Sequence, residues 1–289
     1  APATRPLQAA AHALLALVAI ALGLWQLQAA TRGVLVQTTS VDGTPATVFR
    51  AADGAPAPVV LIAHGFAGSQ QLMQSFALTC ARNGYLAVTF DFAGHGRNPT
   101  ALAGSITEVD GATRHLVAET ARVAHYARSL GDGRLAVLGH SMASDIVVRY
   151  AQQTPDVAAT IAVSMFSPAV TRDSPRNLLV IVGDWEGMLK REALRAIGLA
   201  AAPAAPVAGA IYGDLAAGTG RRAVWSGGVE HVGVLYSRDS LAAALDWLDR
   251  SFDIARERPL VVDARGPWIL LLLAGVVALA RPLARALPT

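Results

Sequence analysis

The chain has 289 residues, 53% of them hydrophobic and 16% charged, with a formal net charge of +3. That length fits one large α/β domain or two small ones, and the composition excludes a disordered chain. A mean hydropathy of +0.40 is high for a soluble enzyme, so part of the apolar content is expected in lipid rather than in a core. The positive charge comes from scattered arginines and a single lysine, Lys190, without the basic block or interleaved aromatics of a nucleic-acid binder. Cys80 is the only cysteine, which excludes an internal disulfide framework and a cysteine-rich zinc site but does not fix the compartment.

The first predicted element is an apolar helix. No charge occurs from Pro6 to Thr31, and LQAAAHALLALVAIALGLWQLQAA reaches about 36 Å as a helix, more than a bilayer core of roughly 30 Å. It reads as a retained anchor. A cleaved signal peptide is the competing reading, but the run is long for one and no small-x-small cleavage site follows it. His12 within it reads as a polar residue tolerated near the interface.

Short β-branched runs then alternate with longer helical patterns, the signature of a mostly parallel sheet covered on both faces. GVLVQTTS and TPATVFRA read as an opening antiparallel pair, and APVVLIAHG as a buried strand ending at His64. QQLMQSFALTCARNG reads as a helix closed by Gly84, with Cys80 as a small buried apolar residue inside it. A strand at YLAVTFDFAG, a helix over GATRHLVAETARVAHYARSLG, the strand RLAVLG and a helix after Ser141 come next. VAATIAVSMF, RNLLVIVGDWEG and RRAVWSGGVEH supply further strands, and SLAAALDWLDRSFDIA a last helix. The stretch GLAAAPAAPVAGA, Gly198 to Ala210, reads as a surface loop or small insertion.

The final element is GPWILLLLAGVVALA, Gly266 to Ala280, about 22 Å as a helix and short for a full span. Arg281 can snorkel outward and Trp268 sits where an interfacial aromatic is useful; the alternative is a buried C-terminal helix of the soluble domain. Starting without Met and stopping soon after this segment, the chain reads as a processed product or a piece of a longer membrane protein. Arginines flank each apolar segment almost evenly, Arg5 against Arg32 and Arg256, Arg258 and Arg265 against Arg281 and Arg285, so charge does not set the topology. The expected organisation is a tail and anchor over 1–32, a globular domain over 33–258 and a membrane segment with its tail over 259–289.

In GHSMA, Gly139 to Ala143, a strand reverses into a helix within a few residues, leaving Ser141 at the tip beside the N–H groups that open the helix. Here the chain resembles the α/β-hydrolase superfamily, whose nucleophile elbow reads G-x-S-x-G, with Ala143 in place of the last glycine. The resemblance covers roughly Val34 to Ile254 and implies an α/β-hydrolase fold, flanked here by N- and C-terminal transmembrane helices. It implies Ser141 as nucleophile, followed in chain order by an acid and a histidine. VIVGDWEGM resembles the loop whose acid comes three residues after a glycine, which gives Glu186 from Gly183; Asp184 is the rival, with a turn or helix-capping role as its other reading. GGVEHVGVLYS resembles the histidine loop and gives His231. Backbone N–H groups of Met142 and of Phe66 in HGFAGS are the implied oxyanion donors.

The remaining candidates have structural readings. His115 and His125 fall in a polar helical pattern and read as solvated, His140 as packing beside the turn, and His95 of DFAGHG as structural. Asp145 lies one helical turn beyond Ser141 and reads as an i,i+4 partner of Arg149. No HExxH, P-loop or strand-borne G-x-G-x-x-G occurs, so no metal or nucleotide cofactor is expected. The spacing from Ser141 to Glu186 leaves no room for a large helical cap, so an open site is expected, covered if at all by Gly198 to Gly220 or by the bilayer.

The expectation is a membrane-anchored serine hydrolase that acts on a small-molecule ester or other acyl substrate, with the lipid bilayer as its other partner. Its expected location is a membrane of bacterial inner-membrane type, with the catalytic domain on the extracytoplasmic side. An acyltransferase, an amidase or peptidase using the same residues, and a non-catalytic subunit of a membrane complex are the alternatives.

Overall fold

The computed structural model describes residues 4–105 and 108–286. The extreme ends of both expected tails, 1–3 and 287–289, lie outside the described residues. Two compact units result: Gly33–Asp263, and a unit made of the chain up to Arg32 together with the chain from Ala264 onward.

In the larger unit, β1 (Val34–Val41) and β2 (Thr44–Ala51) form the expected antiparallel pair. Their two-residue connection is Asp42-Gly43, both at positive φ, which suits a tight hairpin. There follow β3 (Val59–Ala63), a 3-10 turn at Gln70–Met73, α2 (Gln74–Arg82), β4 (Leu86–Phe90), α3 (Arg114–Leu130), β5 (Leu135–His140), α4 (Met142–Gln153) and β6 (Val157–Val163). After these come β7 (Leu178–Gly183), α5 (Gly187–Ala201), β8 (Ile211–Tyr212), β9 (Arg221–Ser226) and α6 (Arg238–Phe252).

The sheet order is β1-β2-β4-β3-β5-β6-β7-β9-β8, with the six strands from β4 to β9 parallel and the pairs at both edges antiparallel. Every residue of β3, β4, β5 and β7 is buried, which explains why these strands read as continuous apolar runs rather than alternating ones. Alternate residues Val59, Leu61 and Ala63 pack against α3 and α4, while α2 and α6 pack against each other. A neighbouring cluster joins β7 to α5 through Val180, Val182, Ala193 and Ile197.

Three details differ from the sequence reading. The segment Gly198–Ala210 is not wholly a loop: its first four residues complete α5, a helix the alanine- and glycine-rich stretch concealed. The helix expected from Gly111 begins at Arg114, because Gly111 (φ −86°, ψ −123°) breaks the preceding π turn Val109–Thr113. The compact unit runs to Asp263 rather than 258. Asn83 pairs with both the N–H and the C=O of Val261, and the Asp263 N–H donates to Thr79 Oγ1, so this strap closes on α2.

The second unit is a helical pair, α1 (Thr4–Ala29) and α7 (Gly266–Ala286). Gly23 lies against Leu272, and Gly275 against Ala16 and Ile20, so the helices run antiparallel with small residues allowing close approach. Gln8–Ala29 and Gly266–Arg285 are long and apolar enough to cross a membrane, each with a mean hydropathy of 1.9. Only 6% of the second stretch is buried, unlike the core helix of a soluble domain.

Candidate active site

β5 is buried throughout and delivers the chain to a turn that only glycine permits at its entrance: a Cβ on Gly139 would stand 2.3 Å from the Ala143 carbonyl oxygen. Ala143, which stands where the superfamily's elbow has its last glycine, is fully buried. Ser141 takes φ 54° and ψ −119°, a conformation that costs an L-residue about 1–3 kcal/mol. The turn is fixed from both sides. The Ser141 N–H donates to the Val163 carbonyl at 2.9 Å, and the Ser144 N–H and Oγ donate to the Ser141 carbonyl at 2.9 and 2.5 Å.

β7 ends at Gly183, and Glu186 folds back over it. The Gly183 N–H donates to Glu186 Oε2 at 2.7 Å, and Ser164 Oγ, at the end of β6, donates to the same oxygen at 2.7 Å. A Cβ on Gly183 would lie 2.9 Å from that oxygen, so the glycine makes the bond possible. Burial alone would raise the Glu186 carboxyl, but hydrogen bonds from His231, Ser164 and Gly183 hold it below the usual carboxylate range. The rival Asp184 points elsewhere, half-exposed and paired with Lys190 Nζ at 2.7 Å.

His231 sits in the loop between β9 and α6. Its Nδ1 lies 2.5 Å from Glu186 Oε1 and its Nε2 2.8 Å from Ser141 Oγ. The carboxylate assigns the proton to Nδ1, leaving the Nε2 lone pair facing the hydroxyl. The bond to Glu186 raises the His231 pKa above its ordinary value of 6.5, against the opposing effect of burial. His140 serves a different purpose: its Nε2–H donates to the His231 carbonyl at 2.8 Å, and burial lowers its pKa to about 4, so the ring stays neutral while it holds the loop.

The HGFAGS loop follows β3. The Phe92 N–H donates to His64 Nε2 at 3.1 Å, which leaves the His64 Nδ1–H to donate to the Gly65 carbonyl at 2.8 Å. Gly65 stands directly against Ser141, since a Cβ there would be 3.0 Å from the serine Cβ. Among the described residues no protein acceptor meets the N–H of Phe66 or of Met142. His95 is buried with Nδ1 3.0 Å from the Ala93 carbonyl, and His115 and His125 are exposed on α3.

A pocket of about 700 Å³ opens over Ser141 and His231, walled by Leu102, Leu116, Ile146, Phe166, Met188 and Leu189 among others. The segment after β4 lines it through Leu102, Ala112 and Thr113, whereas among the described residues none of Gly198 to Gly220 does. Asp145 also lines it, besides pairing with Arg149 Nε at 2.7 Å and accepting from Ser167 Oγ at 2.6 Å. Sequence reasoning missed Ser164, Phe166 and Met188: the first two fell inside the predicted strand VAATIAVSMF, and Met188 lay just past RNLLVIVGDWEG. Among the described residues no group of three or more His, Cys, Asp or Glu side chains is arranged to hold a metal ion.

Residues 54–196 match the family model described as serine aminopeptidase, S33. Among solved structures, TT1662 of Thermus thermophilus superposes with a TM-score of 0.55 at 17% identity over 77% of this chain and 99% of its own. A protein described as a CIB-like hydrolase from Thermoplasma acidophilum gives 0.54 at 19% over 75% and 99%. A bacterial membrane phospholipase A, described as a virulence factor, gives 0.50 at 15% over 83% and 93%. Comparison with the curated proteins found no significant match. The chain has the α/β-hydrolase fold, and over residues 54–196 it is similar to a hydrolase family of that superfamily.

Proposed function

We propose that the chain is a membrane-anchored serine hydrolase that cleaves carboxylic esters through an acyl-enzyme on Ser141. The observation that carries this reading is the unbroken hydrogen-bonded line Ser141–His231–Glu186 at the floor of an apolar pocket. In it, His231 Nε2 takes the Oγ proton as Oγ bonds to the ester carbonyl carbon. The carbonyl oxygen gains the electron pair and accepts from the N–H groups of Phe66 and Met142, each such donor being worth about 100- to 1,000-fold in rate. Collapse expels the alkoxide, which takes the proton from His231. Water then attacks the acyl-enzyme by the same route, releasing the acid and restoring Ser141. Glu186 stays ionised throughout and stabilises the imidazolium.

A fluorophosphonate probe tests the nucleophile: it should label the full chain and leave Ser141→Ala unlabelled. No labelling of either would favour a non-catalytic subunit, and labelling that persists in Ser141→Ala would place the nucleophile elsewhere. Amide cleavage is a second reading, favoured by the match to a family described as serine aminopeptidase and by a carboxylate, Asp145, in the pocket wall. Faster turnover of aminoacyl p-nitroanilides than of p-nitrophenyl esters would select it. Anchoring through α1 and α7, with the hydrolase unit outside the cytoplasm, completes the proposal.

A further inference from the structure

The nucleophile-bearing edge of the sheet carries an unusual set of side chains. β3, β5, β6, β7 and β9 are parallel, so the residues that follow them emerge on the edge where Ser141 lies. There Phe66, Phe166, Trp185, Met188 and Val232 are all exposed, Trp185 by 70%. Single exposed apolar residues are ordinary on a soluble protein. Several converging on one mouth form a patch, and such patches mark contact with an apolar partner.

The patch continues inward. Phe66, Phe166 and Met188 are exposed and also line the pocket, so apolar side chains lead from solvent towards Ser141. Among the described residues the pocket's single carboxylate, Asp145, is already engaged by Arg149 and Ser167, and the wall presents no Lys or Arg. Such a channel suits an uncharged acyl chain, whereas a short water-soluble ester has no use for the rim. Tryptophan, phenylalanine and methionine side chains also suit the headgroup boundary of a bilayer. Two helices of membrane-crossing length in the same chain make a bilayer the partner at hand.

We infer that this rim docks on the bilayer surface and that the substrate is a long-chain acyl ester dissolved in that bilayer, its chain crossing the rim into the pocket. The inference rests on the ester reading above. Water supplies hydroxyl to the acyl carbon and a proton to the leaving alcohol, so a fatty acid returns to the membrane.

The test uses the full chain in phosphatidylcholine vesicles with two probes sharing one leaving group: p-nitrophenyl palmitate in the bilayer and p-nitrophenyl acetate in the water. The variant is Trp185→Ser, at a residue that does not line the pocket over Ser141. Turnover of the acetate should stay within about twofold while that of the palmitate falls about tenfold, because the lost apolar area acts only at the bilayer. Trp185→Phe should recover the palmitate rate. Equal retention of both rates, or a parallel fall in both, overturns the inference, as does a wild type that cleaves acetate but not palmitate. A wild type inert towards both overturns the ester reading itself, and the rim inference with it.

Discussion

At the scale of single residues, the chemistry turns on the charge of His231. Its proton affinity is raised first by the hydrogen bond to Glu186, and only the neutral ring can accept the serine proton. The kcat/KM of ester hydrolysis should therefore rise with pH through a midpoint above 6.5 and level off on the alkaline side. Glu186→Gln removes the partner that raises the histidine, so the midpoint should move to lower pH while the plateau drops by about 1,000- to 10,000-fold. Asp184→Asn, which breaks only the exposed pair with Lys190, should leave both within about twofold. Ser164→Ala addresses the side chain that braces Glu186. Losing its hydrogen bond to Glu186 Oε2 should cost about tenfold or less in rate and shift the same acid limb, a displacement a merely structural role would not produce.

At the scale of elements, the turn between β5 and α4 makes opposite demands at its two small residues. Gly139 has backbone 2.3 Å from where a Cβ would stand, so Gly139→Ala should force the turn open and abolish labelling of Ser141, with a clear fall in melting temperature. Ala143→Gly restores the superfamily's glycine in the first turn of α4. It should leave turnover within about twofold and lower stability by up to about 1 kcal/mol in urea unfolding, since glycine weakens a helix. The central strands were legible because burial on both faces makes them continuous apolar runs: VVLIA, LAVTF and LLVIVG could lie nowhere else. α5 was not legible in the same way. Its buried face, Ala193, Ala196, Ile197 and Ala201, is made largely of alanine, which carries little hydrophobic contrast against the alanine- and proline-rich loop that follows.

At the scale of the whole molecule, the two units divide the apolar content between a core and a pair of helices with lipid-length surfaces. The segment Gly33–Asp263, kept long enough to retain the strap from Asn83 to Asp263, should be monodisperse without detergent and active on p-nitrophenyl acetate. The full chain should need detergent, and a full chain that remains soluble alone would remove the anchoring proposal. Proteolysis of the domain in intact cells, and its protection in inverted vesicles, is the outcome expected for an extracytoplasmic site. The sequence by itself determined the buried central strands, the two membrane-length segments and the candidates Ser141, Glu186 or Asp184, and His231, because periodicity, apolar length and turn chemistry are local properties. Only the tertiary structure decided that Glu186 rather than Asp184 faces His231, that Ser164 and His140 brace that pair, and that Phe66, Phe166 and Met188 line one pocket. Those relations join residues far apart in the chain, and they exist only once parallel strands bring their C-terminal ends to one edge of the sheet.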